Sequence, residues 1–329
     1  MKWLFLLAPA FLLVSCNNDD EAAAPGNEVL SQPPYSTVTD SLKKEPKNAE
    51  LYFRRAIMLN RNNLPDLALR DFKRAWAQAK EEKYAVSISN ILLDIKSDSA
   101  IVFANEALKK FPESLLLRLA LVRAYDAGNM TDQALAACDR LLAKQPDQVN
   151  TLMLKASLLE KKEDSSGMID VLEKAHLLLP ASLEISEKLA YQYAESKNSK
   201  APALADSLIM SDTLKLHPGF YYIKGLYYSN IRDRANAIRL FDETIRYDHR
   251  YLNAYIEKGK ILLDQKKTAE AFKTFQLANT VSPAFPDAWF WMGKCQEAMG
   301  QKEEAKLNYE KAYGLDRTFQ VAKEAAERL

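Results

Sequence analysis

The sequence predicts an all-α chain assembled from stacked helical hairpins. Three observations carry that expectation. Glycine is scarce, 9 of 329 residues, and Ala, Leu, Lys and Glu are abundant, which favours helix over sheet. Four columns recur in one register of 34 residues: Gly225, Gly259 and Gly293; Tyr221, Tyr255 and Trp289; Ala237, Ala271 and Ala305; Phe241, Phe275 and Tyr309. Pro112, Pro146, Pro180 and Pro283 fall near the ends of the units so framed, where a helix must stop. A period of this size marks an array in which each unit buries its apolar face against its neighbours.

Composition narrows the function. At 48% hydrophobic and 27% charged, the chain can bury a large core and is not disordered. A formal net charge of +1 lacks the basic footprint of a nucleic-acid binder. Neither G-x-G-x-x-G nor G-x-x-x-x-G-K-[ST] occurs, so the glycine loops that cradle phosphates are missing from the sequence.

The first element is an address. Lys2 precedes an uncharged, mostly apolar run from Trp3 to Val14, too short for a bilayer span of about 20 residues but suited to a signal-peptide core. It ends Leu13-Val14-Ser15-Cys16, which resembles the bacterial lipobox. That resemblance implies cleavage after residue 15, lipidation of Cys16 and a palmitate-bearing anchor in the membrane; each buried CH₂ contributes about 0.8 kcal/mol. Losing residues 1–15 removes one lysine and no acid, so the mature chain is neutral. Residues 16–34, with Asp19, Asp20 and Glu21, then Pro and Gly, read as a flexible tether. Asn17 is not the Asp of an inner-membrane retention signal, so the expected location is the outer membrane of a Gram-negative bacterium. The acidic cluster resembles a surface-export tag, and the alternatives are a surface or a periplasmic face.

The repeats follow. Residues 35–48 form a capping half-unit with Val38 and Leu42 inward, and units occupy 49–80, 81–114, 115–148 and 149–182. Residues 183–217 form a degenerate fifth unit, because Pro202 falls near the expected start of its second helix and Asp206 stands where the frame wants Ala. The irregularity reads either as an ordinary degenerate repeat or as a bend near 197–202. Three regular units fill 218–319, and residues 320–329 make a terminal cap with Val321, Ala322 and Ala325 inward.

The pattern, clearest in Trp289, Met292, Gly293, Ala305, Tyr309 and Ala312, resembles the tetratricopeptide repeat. The resemblance implies a right-handed superhelical solenoid of about eight helix-turn-helix units with capping helices. It also implies a groove lined by the first helix of each unit. Carried onto this chain, the groove residues are Tyr191, Tyr222, Leu226, Asn253, Ile256, Lys260, Phe290 and Lys294. Aromatics beside lysines suit a partner peptide or helix with an acidic or terminal carboxylate. The lysine and asparagine set of an Hsp90-type carboxylate clamp is not supplied by any three consecutive units.

Chemistry is sparse. His176, His217 and His249 lie in different units, none with a second ligand at metal spacing. Cys138 and Cys295 are five units apart and are expected to be small buried residues rather than a disulfide. G-x-S-x-G, H-E-x-x-H and an EF-hand loop do not occur. The expectation is therefore a membrane-anchored scaffold that binds protein partners, with no enzyme activity, metal, cofactor or nucleic acid. The alternative is a glycan-capture lipoprotein on the same frame, which the absence of insertions between units disfavours.

Overall fold

The computed structural model describes residues 27–329. The leader, Cys16 and the first part of the tether lie outside them. Nineteen helices and no strand occur among the described residues, and the fold class is all-α, built from successive helical hairpins. None of these helices is long and apolar enough to cross a membrane.

Contacts divide the described residues into two compact bodies, one ending at Ala137 and one starting at Cys138. The first holds α1 (Asn27–Leu30), α2 (Ser36–Lys44), α3 (Ala49–Arg61), α4 (Pro65–Gln78), α5 (Glu82–Ile95), α6 (Ser97–Lys110), α7 (Leu115–Ala127) and the first half of α8 (Thr131–Lys144). The second holds the rest of α8 and α9 (Val149–Lys161), α10 (Ser165–Leu178), α11 (Leu183–Glu195), α12 (Ala201–Ser211), α13 (Gly219–Asn230) and α14 (Arg234–Tyr247). It continues through α15 (Leu252–Asp264), α16 (Thr268–Val281), α17 (Pro286–Ala298), α18 (Lys302–Leu315) and α19 (Gln320–Arg328).

Local chemistry sets the helix ends. Asn48, Ser114, Asp164, Ser182 and Asp233 each cap a following helix by accepting from backbone N–H groups of its first turn. Pro65, Pro202 and Pro286 sit in first turns, where no intrahelical N–H is needed. The turn inside most hairpins passes through one left-handed residue: Asn63, Asn129, Glu163, Lys197, Arg232, Lys266 and Gly300 occupy equivalent positions with φ of 56–79°. The second unit is the exception. Its two helices are joined through Lys96 alone, in an extended conformation.

The columns of the repeat are the core. Gly225, Gly259 and Gly293 lie against the rings of Phe241, Phe275 and Tyr309. A Cβ at Gly225 or Gly293 would stand 2.7 Å from a ring carbon, and one at Gly259 would stand closer still. Ala56, Ala156 and Ala190 fill the same column in earlier units and are buried. Cys138 takes the place of the ring in its unit and Cys295 lies beside Met292; both are buried thiols outside any disulfide. Burial pushes the Cys295 thiol up to about 12.

Four features depart from the sequence-based expectations. The fold begins before residue 35: Leu30 and Tyr35 are buried with Ala56, Leu59 and Phe72. Asn62 donates to the Tyr35 hydroxyl at 2.7 Å, and Thr39 donates to the Leu30 carbonyl at 2.8 Å. The same threonine accepts from Arg55, which is fully buried against Asp71 through bonds of 2.6 and 2.9 Å. Second, residues on both sides of 197–202 belong to the same compact body. Pro202 is harmless at the start of α12, and the inward column moves by one residue to Ala201, Ala205 and Leu208. Asp206 turns aside and pairs with Lys224 at 2.5 Å. Third, the inward residues of α19 are Ala322, Ala325 and Ala326; Val321 is exposed, because the helix is rotated about its axis from the expected setting. Fourth, the chain divides into bodies within α8 rather than at the fifth unit.

Two stability outcomes follow from this packing. Gly259→Ala forces Phe275 to move and should cost about 1–3 kcal/mol, seen as a lower urea midpoint. Asp71→Ala strands the buried Arg55 guanidinium and should cost about 3–5 kcal/mol in the same measurement.

Candidate partner-binding site

The first helices of the later hairpins present their polar faces on the second body. On α11, Glu184, Glu187, Lys188, Tyr191 and Glu195 are spaced three and four apart and are exposed together. α11 packs on α12 and also directly on α13, and α13 carries Tyr222. Tyr251, just before α15, places its ring 5.0 Å from that of Tyr222. The three tyrosines line a recess of about 310 Å³ whose floor is Met168 and Ile223. Burial raises all three phenol pKa values, strongly for Tyr222 and to about 12 for Tyr251, and upward at Tyr191 as well. Carboxylates add to each shift: Glu257 and Glu195 at Tyr222, Glu187 at Tyr251, and Glu195, Glu257 and Glu160 at Tyr191.

A second, more polar recess of about 530 Å³ lies between α13, α15 and α17. Trp291 forms one wall, stacked on Phe275 with ring centroids 5.9 Å apart. Lys260 lies 5.8 Å from the centre of the Trp291 ring and donates to Glu257 at 2.8 Å. Arg234 pairs with Asp264 at its rim.

The eight residues expected to line a groove separate in the structure. Tyr191 (40% exposed), Asn253 and Lys260 are accessible, and Tyr222 is half-buried over the first recess. Leu226 (6%), Ile256 (7%) and Phe290 (6%) are core. Phe290 is held among Trp291, Tyr309 and Phe319, with centroids 5.0–5.5 Å apart. Lys294 is half-buried over the rings of Phe290 and Tyr309. Ile256 and Phe290 at position 5 of their units and Leu226 at position 9 are turned into the core, whereas Tyr222 at position 5 stays half-buried at the surface.

Sequence reasoning missed Tyr251, Glu257 and Trp291. Trp291 and Glu257 are one residue beyond the chosen column, and Tyr251 belongs to a turn outside the helix-based scheme. The charge is also opposite to expectation at the first recess. Lys260 is already neutralised by Glu257, and the groups around the tyrosines are carboxylates. Two of the three histidines have side-chain contacts within the fold. His176 shares a hydrogen bond with Ser186 at 3.1 Å, and His217 stacks on Phe220 with centroids 5.2 Å apart. Among the described residues, no group of three His, Cys, Asp or Glu side chains is placed to hold a metal.

Comparisons with known proteins agree with this fold. Tetratricopeptide-repeat family models match residues 96–158, 222–280 and 286–319, so the chain contains tetratricopeptide repeats. A tetratricopeptide repeat protein from Parabacteroides merdae is similar over 85% of this chain and 97% of its own, at 15% identity and a TM-score of 0.50. PilW, a type IV pilus biogenesis factor, is similar over 64% of this chain and 96% of its own, at 14% identity and a TM-score of 0.51. At these identities the likeness is one of fold. No curated protein matches the sequence.

Two outcomes test the assignment of core and surface. Phe290→Ala should cost about 3–5 kcal/mol in chemical denaturation, as a core truncation does. Burial raises the Asp287 carboxyl pKa at the start of α17, so the fold favours its neutral form. Its contribution is present below about pH 3.8 and is lost as pH rises through the raised value. Asp287→Asn should therefore raise the melting temperature at neutral pH and leave it unchanged in acid.

Proposed function

We propose that this chain is a lipid-anchored scaffold of the bacterial outer membrane that binds a protein partner on the first-helix face of its second body. It has no reaction of its own in this reading. The observation that carries it is the pair of adjacent recesses lined by accessible aromatic rings, Tyr191, Tyr222 and Tyr251 in one and Trp291 in the other. Rings of this kind supply large contact area at little entropic cost and serve as anchors in protein interfaces. Tetratricopeptide repeats suit the role, because rigid hairpins present side chains at fixed spacing while the core stays intact beneath them. The anchor rests on Leu13-Val14-Ser15-Cys16, and the outer-membrane position on Asn17 after the lipidated cysteine.

Three measurements test this reading. Cys16→Ser should abolish incorporation of radiolabelled palmitate, and unchanged labelling would remove the anchor. Protease added to whole cells should degrade the chain if it faces outward and spare it if it faces the periplasm. A stable protein partner recovered with the chain from detergent-solubilised membranes should be lost with Tyr191→Ala/Lys260→Ala, whose melting temperature should match the parent's. Binding of oligosaccharide alone would favour glycan capture instead.

A further inference from the structure

We propose that the tyrosine recess between α11 and α13 receives a basic side chain, arginine or lysine, from the partner protein. The inference rests on the scaffold reading above and names the chemistry of what is captured.

The first argument is the donor and acceptor balance. Tyr191, Tyr222 and Tyr251 line one recess, and burial and neighbouring carboxylates both act on their phenols. Beside them are the carboxylates of Glu160 and Glu187, which have no ion-pair partner among the described residues. A carboxylate only accepts, and a phenol oxygen accepts as well as donates. The complementary ligand is a group with several donors and no acceptor, which describes a guanidinium or an ammonium.

The second argument is the sign of the field. Glu160, Glu184 and Glu187 stand in the lining, and the ionisable groups that act most on the three phenols are acids or other phenols. Lys188 is the one cationic side chain in the lining, and it is 3.8 Å from Glu184 on the same helix. An acidic peptide would meet repulsion here, whereas a cation would meet attraction from several directions.

The third argument is shape. The volume of about 310 Å³ suits one long side chain. Its floor, Met168 and Ile223, is buried and apolar, which fits the aliphatic stem of lysine or arginine. Three aromatic rings in the lining can contribute to holding a charged head. The carboxylates are too dispersed to chelate, since no metal-holding group of three exists among the described residues. A polyatomic cation carried on a flexible stem satisfies all of these conditions.

The test uses the full-length chain in detergent and a randomised dodecapeptide library displayed on phage. Enriched peptides are remade with a fluorescein label and measured by anisotropy. The expected result is a shared arginine or lysine whose replacement, arginine by neutral citrulline or lysine by glutamine, weakens binding at least tenfold. Glu160→Gln/Glu187→Gln should weaken the basic peptide by a similar factor and leave its neutral counterpart unchanged. Affinity should also fall as salt is added. Enriched peptides without a basic residue would overturn the inference and leave the scaffold reading standing, as would equal binding of the neutral version or an unaffected double variant. Nα-acetylarginine amide or putrescine binding as tightly as the peptide would overturn it in favour of a small-molecule cation. No enrichment of any peptide would count against the scaffold reading as well.

Discussion

The contact on which the structure depends is the approach of an aromatic ring to a residue without a side chain. In the three regular hairpins of the second body, Phe241, Phe275 and Tyr309 lie on Gly225, Gly259 and Gly293 so closely that a methyl group has no room. That approach sets the separation of the two helices of a hairpin and therefore the packing of the next hairpin against both. Earlier units change both columns together: Ala156 goes with Leu172, Val122 with Cys138 and Ile88 with Ala104, while Ala56 keeps a ring, Phe72, in the second column. Ring size and column size vary together, as close packing requires.

That constraint also places the candidate site. Once the second helix of a hairpin is pinned beneath the first, the polar stripe of the first helix is what the protein exposes along the row. Residues one turn apart on α11 then form a single strip, and Tyr222 and Tyr251, from the start and the end of the next unit, meet it. The fifth unit, irregular by the repeat frame, contributes directly. With Pro202 opening α12 and the inward column shifted to Ala201 and Ala205, α11 lies directly on α13. The same neighbourhood gathers carboxylates while the nearby lysines are engaged: Lys188 with Glu184, Lys224 with Asp206 and Lys260 with Glu257. The chain is almost neutral as a whole, yet this recess is not.

Legibility differed by kind of residue. The hairpin partition was readable because helix-crossing positions tolerate only small side chains, and the choice recurs at fixed spacing. The left-handed turn residues were half readable: Asn63, Asn129 and Gly300 carry a chemical signal for positive φ, but Glu163, Lys197, Arg232 and Lys266 do not. At the candidate site, Tyr191 and Lys260 were found at the surface, whereas Leu226, Ile256 and Phe290 were expected there and are core. A position number within a repeat does not reveal how far its helix has rolled, and a roll of one residue exchanges Phe290 for Trp291. The inclusion of Leu30 in the core was likewise hidden, because its neighbours Pro33 and Pro34 and the polar residues around it look like linker.

By itself the sequence determined the secondary structure, the repeat length and the small-residue columns, because each is a local rule applied many times in one register. It also carried the lipobox-like Leu13-Val14-Ser15-Cys16, on which the proposed anchor rests. Only the tertiary structure decided which aromatic rings are anchors and which are core, and where unpaired carboxylates converge. Those properties depend on helix rotation and on contacts between residues about 30 to 90 positions apart. Such contacts leave no local trace in a chain whose total charge is close to zero.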